Sequence, residues 1–160
     1  MKKTLEEDDI PGAKKKALSL LKDRDYTEAR LKKKLLDAGA SEETACAVVL
    51  WAKECRYVDD ELYCRMFIEQ QCEKRSRLRI KNDLMERGIS RDVAESALSA
   101  FPDNGQELKA AVSKLKSRHF RQDDTDPAYI KSTAAYLFRQ GFSGEIVRAA
   151  MSLDTDDAVN

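Results

Sequence analysis

The feature that most constrains this chain is a seven-residue pattern written three times. Residues 35–41 (LLDAGAS), 84–90 (LMERGIS) and 137–143 (LFRQGFS) each read Leu, three residues, Gly, an apolar residue, Ser. The glycines Gly39, Gly88 and Gly141 lie 49 and then 53 residues apart, so the repeating unit is about 50 residues long. Each copy reads as the junction of two helices. A glycine just past a helix end takes a left-handed conformation that a Cβ would penalise. The apolar residue after it folds back onto the Leu, and Ser41, Ser90 or Ser143 then caps the next helix by accepting a hydrogen bond from a free backbone N–H.

Both flanks extend the repeat. Five, six, nine and ten residues after each glycine stand Thr44, Ala45, Val48 and Val49; Val93, Ala94, Ala97 and Leu98; Ile146, Val147, Ala150 and Met151. That spacing draws one apolar stripe along a helix. Leu18, Phe67 and Phe120, each 21 residues before a glycine, predict a further helix upstream in every unit. Tyr26-Thr27 and Val58-Asp59 read as staple-and-cap helix starts, and Asp126-Pro127 as a capping acid before a proline at the first helical position. Pro102 to Gly105 marks a break, and residues 121–125 read as a polar loop.

The expected fold is all-α: tandem three-helix repeats, about nine helices, forming a short, elongated, curved solenoid in which each repeat mainly touches its neighbours. The boundaries predicted are a flexible N-terminal segment at 1–10, repeats at 11–56, 57–102 and 103–153, and an acidic flexible tail at 154–160.

Composition supports helix and narrows function. Ala, Leu, Lys, Glu and Arg dominate, and such side chains lose little rotamer freedom in a helix. Lys+Arg and Asp+Glu both total 29, a balance that argues against a uniformly basic nucleic-acid binder. No apolar run approaches the roughly 18–20 residues that span a bilayer, and the start turns acidic where a signal peptide would turn apolar. The expectation is a cytoplasmic protein without membrane contact.

Enzymatic chemistry finds little support. His119 is the single histidine, predicted at the surface near a helix end, and there is no Gly-rich phosphate loop. Cys46, Cys55, Cys64 and Cys72 lack the close pairing of a zinc site and read as reduced thiols in or near helices. Asp59-Asp60-Glu61 sits at a helix start, where acids complement the dipole. No catalytic residue, metal ligand or cofactor site is predicted. Trp51, Phe67, Phe101, Phe120 and Phe142 read as packing groups.

In order along the chain, three stretches are similar to the RecX family. They are residues 17–35, with Arg24, Asp25, Tyr26, Thr27, Leu31 and Leu35; Tyr57-Val58-Asp59-Asp60 with Tyr63, Arg65 and Phe67, followed by Ile80, Leu84 and Arg87-Gly88-Ile89; and Leu137 with residues 139–143. The resemblance covers roughly residues 15–151. It implies tandem three-helix repeats and a non-catalytic modulator, mostly an inhibitor, of the recombinase and coprotease activities of RecA, lodged in the groove of the RecA–DNA filament. Three positions depart from the family's habits. Arg56 stands where Gly is common, Arg30 where Glu would complete a capping box, and Ser76-Arg77 where a Gly-Pro pair often precedes the fifth helix; Ser76 can cap that helix itself.

The densest positive run is Lys74, Arg75, Arg77, Arg79 and Lys81. Cations in a helix's first turn oppose its dipole, so something should compensate them. One candidate is local pairing, with Glu73 to Arg77 the obvious case; the other is an external anion, filament DNA phosphates or an acidic RecA surface. Lys14, Lys15, Lys16, Lys32 and Lys33 are weaker contact candidates, surrounded by acids. The expected partner is the RecA filament on DNA, with weak direct DNA contact as a secondary expectation and a monomeric state. Two other functions remain open at this point: a free-standing helical nucleic-acid module and a scaffold for another protein.

Overall fold

The computed structural model describes residues 8–153, in which nine helices and no strand are found. They are α1 (Ile10–Asp23), α2 (Glu28–Asp37), α3 (Glu42–Glu54), α4 (Asp60–Gln71), α5 (Arg77–Glu86), α6 (Arg91–Ala100), α7 (Gln106–Ser117), α8 (Pro127–Arg139) and α9 (Gly144–Ser152). The expected tail at 154–160 and most of the expected N-terminal segment lie outside the described residues. Helix α1 starts at Ile10, inside the segment predicted to be flexible, because Asp9 caps it by accepting from the Gly12 N–H at 2.8 Å.

Caps fall where the sequence places them. Thr27, Ser41, Asp59, Ser76, Ser90 and Ser143 each accept the N–H three residues on, at 2.9 to 3.4 Å. Asp126 accepts from Ala128 at 3.1 Å with Pro127 opening α8. At the C-termini the paired bonds expected of a glycine stop are formed: Ala40 to Leu35, Ile89 to Leu84 and Phe142 to Leu137 across six residues, with Gly39, Gly88 and Gly141 closing the inner ring. Two helices end the same way without glycine. Arg56 (φ 56°) closes α3 and His119 (φ 54°) closes α7, each held left-handed by the same bond pair. Phe120 was predicted on a helix and is not; it lies beyond α7, where its N–H caps the Leu115 carbonyl. A left-handed exit at His119, invisible to apolar spacing, displaces it.

The chain divides into two compact units, Met1–Cys64 with Leu84–Ala94, and Arg65–Asp83 with Glu95–Asn160, so α4, α5 and α6 each contribute to both. The first has a core of Ala13, Ala17, Leu31, Leu35, Ala45, Val48, Ala52 and Val58, flanked by Tyr26 and Trp51. The second is built on Ala110, Ala111, Leu115, Leu137, Phe142, Val147 and Ala150. Leu18 lies on α1, the upstream helix it predicts, and is 42% exposed there.

Each unit contains one joint between successive repeats, and the two joints use the same chemistry. In the first, the Thr27 hydroxyl, while capping α2, donates to the Arg87 carbonyl at 2.5 Å, and the Glu28 N–H donates to Asp60 Oδ1 at 2.9 Å. In the second, the Ser76 hydroxyl, while capping α5, donates to the Gln140 carbonyl at 2.7 Å, and the Arg77 N–H donates to Glu107 Oε1 at 3.0 Å. Thr27 and Ser76 are fully buried, and no buried side-chain polar atom among the described residues lacks a hydrogen-bond partner. The carbonyl acceptor stands just before the stop glycine in both cases. Gly88 and Gly141 therefore do two jobs: both have positive φ, and a Cβ would lie 2.3 Å from Ala29 Cβ in the one and 2.7 Å from Ser76 Oγ in the other. Burial raises the pKa of the Asp60 and Glu107 carboxyls, against the lowering effect of the N–H each accepts.

Candidate functional site

The basic run occupies the start of α5, and the fold supplies most of it with internal partners. The Arg77 guanidinium reaches back to the C-terminal carbonyls around α6, donating to Phe101 O at 3.0 Å and Leu98 O at 2.5 Å. This is a cation on the negative end of a helix, and it replaces the expected pair with Glu73. Glu73 instead faces Lys109 at 3.6 Å. Asp83, almost fully buried, is paired with Arg75 on one side and with Arg79 at 3.2 Å on the other. Lys81 meets Glu95 at 3.2 Å. Lys74 is exposed and has no ion pair with a described carboxylate. The Arg75 and Arg79 side chains remain 40% and 56% exposed, so one face of each stays open to an anion while the other is anchored.

This arrangement pre-positions charge. Two guanidiniums held by one buried carboxylate lose less side-chain freedom on meeting an external anion than two free arginines would. Asp83 was missed by the sequence reading, although its position four residues after Arg79 offers the signal.

In the first unit the lysines are less coherent. Lys32 pairs with Glu42, which raises its pKa. Lys14 lies over the Trp51 ring at 4.6 Å, and Lys15 and Lys33 are exposed. Tyr57 is half exposed against Trp51, Asp59 caps α4, and Phe67 is partly buried. A groove of about 450 Å³ holds Lys32, Cys46, Lys53, Asp60 and Ser90; there Lys53 pairs with Glu28 at 2.9 Å and Asp60 is committed to the joint. The four cysteines are unbridged, Cys46 and Cys55 exposed and Cys64 buried, with burial pushing the Cys64 thiol up to about 11. No cluster of His, Cys, Asp or Glu among the described residues could hold a metal ion. No helix among them is long and apolar enough to cross a membrane.

Nine helices among the described residues, eight of them opened by a side-chain cap, with stop glycines at about 50-residue intervals and a joint used twice, define a tandem three-helix-repeat protein. Residues 59–98 match the family model for the second three-helix domain of RecX. The Regulatory protein RecX of Caldanaerobacter subterraneus subsp. tengcongensis is 32% identical over 145 residues, covering 88% of this chain and 70% of that one. A crystal structure of RecX from Lactobacillus salivarius superposes with a TM-score of 0.76 at 22% identity, covering 90% of this chain and 95% of that one. A second structure, of a regulatory protein RecX, gives 0.78 at 19%, covering 90% and 73%. The chain belongs to the RecX family.

Proposed function

We propose that this chain regulates the recombinase RecA, chiefly as an inhibitor of its recombinase and coprotease activities, by lying in the groove of the RecA–DNA filament and touching neighbouring subunits. The observation that carries this reading is membership of a family of regulatory proteins over most of the chain's length. A repeat fold suits the task. Successive repeats can engage successive protomers, and simultaneous engagement raises apparent affinity through effective concentration. In this reading the protein acts as a monomer in the cytoplasm, by binding alone, with no catalytic step and no cofactor.

The contact surface proposed is the α5 run, made through Lys74 and the open faces of Arg75 and Arg79, with Arg77 and Lys81 shaping it from within. Lys14, Lys15, Lys16, Lys32 and Lys33 form a secondary surface, with weak direct contact to filament DNA. The test is single-stranded-DNA-dependent ATP hydrolysis by the cognate RecA, titrated with this protein at physiological salt. A falling rate at protein well below RecA stoichiometry is expected, weakened in Lys74→Glu/Arg79→Gln, which leaves Arg75 on Asp83. An unchanged rate at several-fold excess, with tight binding to bare DNA, refutes the proposal and favours a nucleic-acid module.

A further inference from the structure

The joint chemistry occurs twice and is absent at the third equivalent position. Thr27-Glu28 at the start of α2 and Ser76-Arg77 at the start of α5 each offer a hydroxyl proton and an N–H to the following repeat. The corresponding pair at the start of α8 is Asp126-Pro127. A carboxylate has no proton to give a carbonyl oxygen and repels it, and proline has no N–H. Thr27 and Ser76 are buried, while Asp126, Pro127 and Ala128 are all exposed. Yet Asp-Pro is a good helix start in its own right, since aspartate caps and proline fits the first helical position. The pair keeps the helix and removes the docking.

We infer that Asp126-Pro127 is a stop signal for repeat stacking: it starts α8 while refusing the joint that α2 and α5 make, so that no three-helix repeat of a second copy docks on α8 through it. The accepting side of such a copy is disarmed as well. Where α4 offers Asp60 and α7 offers Glu107, the first turn of α1 holds no acid, and Pro11 stands at its second position. A head-to-tail contact between copies is heterologous, and it builds an open filament wherever its rotation does not close a ring. Both faces of that contact are chemically blunted. The inference concerns self-association and stands whether or not RecA is the partner.

The test moves the stop signal into a working joint. In Thr27→Asp/Glu28→Pro the α2 start becomes the α8 start. Backbone hydrogen exchange of the full chain should show protection at residues 87–89 falling tenfold or more, while the amides of Leu31 and Leu35 in α2 keep theirs. Thr27→Ser, which retains the hydroxyl, should change neither. If the double variant loses α2 as well, Thr27→Asp alone decides, because it keeps a capping oxygen and removes only the hydroxyl proton given to the Arg87 carbonyl: protection at 87–89 should fall several-fold with α2 intact. Unchanged protection at 87–89 in the deciding variant overturns the inference, since the joint would then form without the hydroxyl donor that α8 lacks.

Discussion

Replacing Gly88 by alanine tests whether the repeats meet as closely as the geometry states. Two costs apply. At φ +84° an L side chain pays the left-handed penalty of roughly 1–2 kcal/mol. The new Cβ would also stand 2.3 Å from Ala29 Cβ, over an ångström inside the roughly 3.5–4 Å contact distance of two carbons. Relieving that overlap requires α2 and the α5 end to separate, at about 1–3 kcal/mol by analogy with overpacked cores. The total is about 2–5 kcal/mol. Gly105 supplies the internal control: its φ is +86°, and nothing lies within 4 Å of its Cβ position, so Gly105→Ala incurs only the first cost. Urea denaturation of both variants gives the difference directly. Adding Ala29→Gly to Gly88→Ala removes the colliding atom, and the double-mutant cycle should show a favourable coupling of about 1–3 kcal/mol. Each kcal/mol corresponds to roughly 2–4 °C in melting temperature for a chain of this size. Equal losses at Gly88 and Gly105 with no coupling to Ala29 would show that the glycine serves the turn alone, and the close joint would be wrong.

Other substitutions probe separate parts of the argument. Arg56→Gly relieves an exposed non-glycine residue held at φ 56° and should raise stability by about 0.5–1 kcal/mol, read as a higher denaturation midpoint. The folded pKa of Asp60 is raised by burial, so the folded state binds its proton more tightly than the unfolded chain does, and this group's contribution to stability falls as pH rises from the unfolded value through the folded one. Asp60→Asn keeps an acceptor for the Glu28 N–H and loses that penalty; its stability relative to the parent should improve between pH 3.5 and pH 7, and a pH-independent difference would contradict the assignment. Thiol labelling at pH 8 should modify Cys46 and Cys55 quickly and Cys64 only on unfolding, because burial holds that thiol near pKa 11.

Local features were legible in the sequence because their causes are local. Ser41, Ser90 and Ser143 sit within three residues of the N–H groups they cap, and each stop glycine within five residues of its carbonyl partner, so spacing alone announces them. The left-handed exits at Arg56 and His119 escaped that logic, since the backbone there obeys the helix end rather than the residue. The joints escaped for another reason: Thr27 and Arg87 are 60 residues apart, and no periodicity links a hydroxyl to a distant carbonyl. Comparing repeats position by position does reveal the matched hydroxyls Thr27 and Ser76. The basic run of α5 was visible as composition, but composition is silent about Asp83 lying beneath Arg75 and Arg79, or the α6 carbonyls within reach of Arg77.

A single hydroxyl at Thr27 accepts from the Arg30 N–H and donates to the Arg87 carbonyl, so it spends its proton and a lone pair on two events at once. When the first turn of α2 frays, the oxygen swings away and the tie to Arg87 goes with it. When the end of α5 pulls back, the oxygen loses the contact that fixes its rotamer over α2. Helix initiation at one point of the chain and chain reversal at another are thereby fused into one cooperative transition, and the same wiring recurs at Ser76, with Arg79 and Gln140. A string of short helices, each too weak to persist by itself, is in this way denied the option of melting one helix at a time.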